Sequence, residues 1–168
     1  MKKIITLTIT TICCFLLQTT IFQSLKLANI SPNILLILVV SIGFMRGRTE
    51  GVLVGFFAGL LLDILYGGYL GIYALVYMLI GYINGCFNHM FFADEVILPL
   101  GLVLGNDFLL NLCIYALYFL MRNRLDFLFY LRYTILLEMI YTIVVTLVLY
   151  KLLLAIDSWL KPNEKRST

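Results

Sequence analysis

The sequence predicts an all-α integral membrane protein, a bundle of about six transmembrane helices with the second and third short, on three observations. The chain has 168 residues, of which 62% are hydrophobic and only 12% charged, and its mean hydropathy is +1.03. That leaves too little polar surface to cover a water-soluble globule. The charges punctuate the apolar runs: none falls between Lys3 and Lys26 or between Lys26 and Arg46. Asp63, Asp107 and Glu138 each stand alone in a long apolar stretch. With no linker or low-complexity segment between the runs, residues 1–168 read as a single polytopic membrane domain.

The runs place helices at 4–24, 32–45, 51–65, 71–88, 96–121 and 133–156. The first follows Met-Lys-Lys, is about as long as a bilayer is thick, and lacks a small-residue cleavage site, so it reads as an uncleaved helix rather than a secretory signal. Its threonines, Thr6, Thr8, Thr10, Thr11, Thr19 and Thr20, are expected to bond back to helix carbonyls or to a neighbouring helix. Ser31 suits an N-cap and Pro32 a first turn for the second helix. About 15 residues reach roughly 22 Å against a hydrocarbon core of about 30 Å. The second and third helices must therefore thin the bilayer, be shielded by longer neighbours, or re-enter as a hairpin. With six spans and both termini cytoplasmic, Lys2, Lys3, Arg46, Arg48, Lys161, Lys165 and Arg166 lie inside, and Lys26, Arg122, Arg124 and Arg132 outside. That balance favours the orientation, although the arginines of the Arg122–Arg132 connection count against it.

Catalysis has little to stand on. Hydrolysis or group transfer needs a nucleophile with a base, a carboxylate pair or grouped metal ligands, whereas the chain has one histidine and acids scattered over different helices. His89, beside Asn88, reads as an interfacial polar residue. Cys13, Cys14, Cys86 and Cys113 lack metal or redox spacing and read as small packing residues. Neither a phosphate-cradling glycine loop nor a basic stripe is present. No enzyme, cofactor, metal or nucleic-acid partner is expected.

The segments do carry packing chemistry. Gly51, Gly55 and Gly59 recur every four residues and lead to Asp63 along one helical stripe. Gly81/Gly85 and Gly101/Gly105 repeat the spacing, which lets helix backbones approach closely where lipid supplies no hydrophobic drive. The third, fourth and fifth helices are therefore expected to pack tightly, against one another or a partner. The second set is polar: Asp63, Asn84, Asn106, Asp107, Asn111 and Glu138. Ionisable groups in membrane segments cost roughly 2.5–3.5 kcal/mol on insertion scales and mark something specific. Asp107 and Asn111, four apart, share a helix face. Asp63, close to Gly67, is expected to serve structure or partner contact rather than transport.

Pro32-Asn33 before a short apolar helix, then Gly-Phe-x-x-Gly-x-x-x-Asp-x-x-x-Gly-x-x-Leu-Gly from Gly55 and Phe56 through Gly59, Asp63 and Gly67 to Gly71, resembles the rod shape-determining protein MreD family. Length and hydropathy agree over the whole chain, the motif over about a quarter of it. Leu136-Leu-Glu138-Met-Ile-Tyr-Thr142 is similar to that family's final acidic segment, with Thr142 where an amide is expected. The resemblance implies a bacterial inner-membrane scaffold of the cell-elongation machinery. With an MreC-like protein, it would link MreB filaments to a SEDS glycosyltransferase and a penicillin-binding transpeptidase. The alternative is a small-molecule binder resembling, in its six-helix layout, the substrate-binding component of energy-coupling-factor vitamin transporters. A binder requires polar and aromatic residues such as Tyr69, Tyr73 and Asn84 to enclose a cavity; a scaffold requires a plugged interior. The aromatics Tyr66, Tyr69, Tyr73, Phe91, Phe92, Tyr130, Tyr133 and Trp159 sit near segment ends, as interfacial belts do.

Overall fold

A computed structural model describes residues 2–24, 32–66, 71–90, 97–122 and 136–160. Among them are six α-helices and no strand: α1 Lys2–Ser24, α2 Ile34–Arg46, α3 Arg48–Tyr66, α4 Ile72–Cys86, α5 Ile97–Arg122 and α6 Leu136–Leu160. A single 3-10 turn, Phe87–Met90, follows α4. By length and composition two helices suffice to cross a membrane, over Ile97–Ala116 and Ile140–Ser158. Side chains on the outer faces are apolar along whole helices, as with Ile140, Val144, Val148 and Leu152 on α6. Water would tolerate such a continuous face poorly, whereas lipid solvates it.

The short helix is α2, and it is central. Its 13 residues rise about 20 Å, and every residue from Ile34 to Met45 is buried. It packs against α1, α3, α4, α5 and α6, so of the three expected options for a short helix the fold shows shielding by longer neighbours. The third helix is not short: α3 has 19 residues because it starts at Arg48, inside the charged turn, rather than at Gly51. Two contacts make that start compatible with helix. The Arg48 guanidinium lies 5.8 Å from the centre of the Tyr82 ring, a distance suited to a cation–π contact. Glu50 accepts from Arg46 at 3.2 Å, an i,i+4 pair that crosses from α2 into α3.

Glycine sets how closely α2, α3 and α4 approach. A methyl group at Gly51 would overlap the Gly81 carbonyl and crowd the Gly43 backbone, and one at Gly81 would strike Gly51 in return. Further along the same faces, Gly55 abuts the Tyr77 carbonyl, Gly59 abuts Tyr73 and Ala74, and Gly85 abuts Arg48. These are backbone-to-backbone contacts, so the obstructing atoms cannot swing aside. The expected tight pairing of the third and fourth helices is thus observed, with α2 added through Gly43. For the fifth helix the close neighbour is not found among the described residues: Gly101 and Gly105 are exposed with none of those residues within 4 Å of an added methyl group, because α5 turns Val103, Asn106, Asp107 and Leu110 inward instead.

The helices alternate in direction. Gln18, late in α1, accepts from the Leu35 amide at the start of α2 at 2.9 Å. At the opposite end of α2, Arg46 forms an ion pair with Asp157, late in α6, at 2.8 Å. The start of α1 and the end of α6 therefore lie at the same end of the bundle. The hydroxyls of Thr10, Thr11 and Thr19 donate to carbonyls one turn back, as expected. The four cysteines are free.

Replacing Gly55 or Gly81 with Leu is expected to cost about 3 kcal/mol, the upper range for overpacking. Gly105→Leu should stay within about 0.5 kcal/mol, as at an open surface position. Detergent-denaturation midpoints of the purified variants check both; equal losses at Gly55 and Gly105 would contradict the close-approach account.

Candidate functional site

The acid that leads the sequence motif turns out to be a helix cap supplied by a neighbouring helix. Asp63 is 2% exposed, and its two carboxylate oxygens accept from the backbone amides of Tyr73 at 3.0 Å and Ala74 at 2.9 Å. These are orphan donors of the first turn of α4. The residue at the N-cap of α4 is Gly71, whose φ of +105° suits glycine and which has no side chain to offer. Asp63 fills that role across the hairpin, and its negative charge meets the positive end of the α4 dipole. The motif therefore resolves into parts: Gly55 and Gly59 bring α3 onto α4, Asp63 caps α4, and Gly71 makes the left-handed entry. Phe56 is exposed, its ring edge-on to Phe57 with centroids 5.8 Å apart. Gly67 lies outside the described residues, as do Tyr69, Phe91, Phe92, Tyr130 and Tyr133.

A second polar group surrounds the start of α2. The Asn33 Oδ1 accepts from the Leu36 amide at 3.2 Å, capping the helix, and from the Tyr77 hydroxyl at 2.8 Å. The Asn33 amide faces the Thr142 hydroxyl at 3.5 Å. Three helices thus meet on one residue, α2 and α4 at its side chain and α6 at its backbone amide, that the sequence motif marked only as following Pro32. Nearer the other end, Asn84 is fully buried, donates to the Ile80 carbonyl at 2.8 Å and accepts from Asn106 at 3.0 Å, which joins α4 to α5. Asn111 donates to the Asp107 carbonyl at 3.0 Å and to Glu138 Oε2 at 3.3 Å, which joins α5 to α6. Asp107 is fully buried, and neither of its carboxylate oxygens has a hydrogen-bond partner.

The structure thus groups the expected polar residues into an Asn84–Asn106 pair and an Asp107–Asn111–Glu138 set, with Asp63 separate at the α3–α4 hairpin. Sequence reasoning passed over Tyr77 and Gly43. Tyr77 lies within an apolar run with no polar residue at helical spacing beside it to mark it, and Gly43 has no second glycine at helical spacing within α2. Among the described residues no three His, Cys, Asp or Glu side chains are grouped to hold a metal. His89 is exposed, its Nδ1 3.0 Å from the Cys86 carbonyl.

Of the residues that a small-molecule binder would need, the two that are described, Asn84 and Tyr73, pack into the bundle. The Asn84 side chain is engaged by Asn106 and Ile80, and Tyr73 packs partly buried against the core. A groove of about 590 Å³ opens elsewhere, between α1 and α3, with an apolar lining that includes Leu7, Ile12, Phe57 and Leu61 and with Glu50 at one end.

The profile of one protein family, rod shape-determining protein MreD, matches residues 1–156 of the chain. No curated protein and no solved structure matches it in the corresponding comparisons.

The Asp63 geometry sets the order of its variants. Asp63→Asn keeps one acceptor and should cost about 1–2 kcal/mol, while Asp63→Leu leaves two buried amides unpaired and should cost about 3 kcal/mol or more. Denaturation midpoints rank them. Equal losses would mean that the negative charge, not the hydrogen bonds, carries the effect.

Proposed function

Because this chain belongs to the MreD family, which serves rod-shape determination, we propose that it is a non-catalytic membrane scaffold of the cell-elongation machinery. It would couple MreB filaments, through an MreC-like protein, to a SEDS glycosyltransferase and a penicillin-binding transpeptidase. On this reading it is a multi-pass protein of the bacterial inner membrane, a single polytopic domain with both termini cytoplasmic. The charge balance supports the orientation: Arg46 and Arg48 share the bundle end with the start of α1 and the end of α6.

One observation carries the scaffold reading, and it is the plugged interior. A helix buried on every side occupies the place where a solute-binding or conducting protein would need space. Its contact with α3 and α4 at Gly43 is backbone against backbone, which resists opening. What remains for function is the outside. The glycines of α3 and α4 are consumed within the fold, so substitutions there act through stability. Gly101 and Gly105, which meet none of the described residues, are the packing stripe left for another membrane helix, and the α1–α3 groove is a second lateral surface, lined by apolar side chains that lipid or a partner can cover.

Affinity capture from native membranes in mild detergent tests this. Elongation proteins, an MreC-like protein first among them, are expected to co-purify without a stoichiometric metabolite. Recovery of a vitamin-like ligand with an ATPase module would replace the scaffold with a transporter subunit. Gly101→Leu with Gly105→Leu should reduce capture of the MreC-like protein at unchanged expression and midpoint; undiminished capture would remove that face of α5 from the interface.

A further inference from the structure

The Asp107 carboxylate is the least satisfied polar group in the bundle. It is fully buried with both oxygens unbonded, and one turn further along α5 the Asn111 amide holds Glu138 of α6 against the same face. Glu138 lies close enough to interact with the charge of Asp107, and the Tyr77 hydroxyl is close enough to sense both. The ion pairs among the described residues, Arg46 with Glu50 and Arg46 with Asp157, sit at the far end of α2. A buried carboxylate and a half-buried one are thus joined through Asn111, with no ion pair to a basic side chain for either among the described residues. A lone ionised carboxylate costs many kcal/mol in an apolar interior, and a second one nearby adds repulsion.

We propose that the Asp107–Glu138 pair binds one monovalent cation, a proton or a sodium ion, between α5 and α6. The cation supplies what the chain lacks at this point, a positive charge between two acids, and so fastens α5 to α6. Its surroundings are otherwise neutral. Tyr77 of α4 is the titratable neighbour, its hydroxyl donating to Asn33 Oδ1, and α5 contributes Asn111, which donates to Glu138. The site does not depend on the scaffold reading, since it concerns how two helices of this chain are held together whatever binds outside them.

Thermal unfolding of the full chain in detergent tests the site, in sodium chloride and in choline chloride at equal ionic strength, each at mildly acidic and mildly alkaline pH. The comparison variant is D107N with E138Q, whose neutral amides need no cation. If sodium is the ligand, the wild-type Tm rises with sodium at alkaline pH and the variant is indifferent, as linkage requires of a ligand bound by the folded state alone. If the ligand is a proton, acidification raises the wild-type Tm in both salts and again leaves the variant unmoved. Wild type and variant responding alike in all four conditions would overturn the proposal. Should the variant fail to fold, the wild type alone decides. An infrared band of protonated carboxyl that persists at mildly alkaline pH, or one radioactive sodium bound per chain, supports the site; ionised carboxylate bands with no bound sodium overturn it.

Discussion

Everything else in this fold answers to the complete burial of α2. A 13-residue helix is too short to span a hydrocarbon core of about 30 Å on its own, and its ends would leave backbone groups unpaired within the apolar layer. Walling it with other helices removes the first difficulty. The second is met by side chains brought from a distance. Asn33 and Gln18 serve the amides at its start; at its finish, the Gly47 amide bonds the Gly43 carbonyl and the Asn88 side chain bonds the Phe44 carbonyl. Arg46 then pins this end to both α3 and α6. A helix so placed has no lipid face of its own and behaves as a core.

A buried central helix forces its neighbours close, and three glycines make that possible. Gly43, Gly51 and Gly81 let α2, α3 and α4 meet at backbone distance. In lipid, where apolar burial gives no drive toward association, such contacts and interhelical hydrogen bonds must do the joining. The Asp63 cap completes the join at the other end of the α3–α4 hairpin. Sequence features that look like a functional signature are thus mainly instructions for one tight hairpin, while the outward faces of α1, α3, α5 and α6 carry exposed apolar side chains.

Much of the architecture was legible because hydropathy and isolated charges report where apolar runs begin and end. The start of α3 was misjudged for a specific reason. Charged residues in a turn usually end a helix, but Arg48 and Glu50 both have partners across it, on Tyr82 and Arg46, that only the fold creates. Glycine spacing was legible as a face but not as a neighbour: Gly51/Gly55/Gly59 and Gly101/Gly105 are written alike, yet the first set lies against backbone and the second against nothing. Asp63 was legible as a residue for structure or partner contact, while its burial and its partners were not, because main-chain amides leave no mark in a sequence. Asn33 and Tyr77 are joined across 44 positions, and no local pattern signals that.

The distribution of polar groups bears on what the bundle can do. A path for solute or ions needs polar groups lining continuous space, with at least one element free to shift. Here Asn84 bonds Asn106, Asn33 bonds Tyr77, and Asn111 bonds Glu138, each pair linking two helices at a different place along the bundle. Opening a channel between them would mean moving α2, which touches all five other helices and whose glycine contacts leave no slack. Such an interior resists alternating access, since each interhelical bond broken in an apolar layer leaves a buried polar group unpaired. Lateral contact requires no such movement. A rigid core with apolar, glycine-bearing outer faces presents a fixed surface to neighbouring membrane helices, and that is the physical property a scaffold needs most.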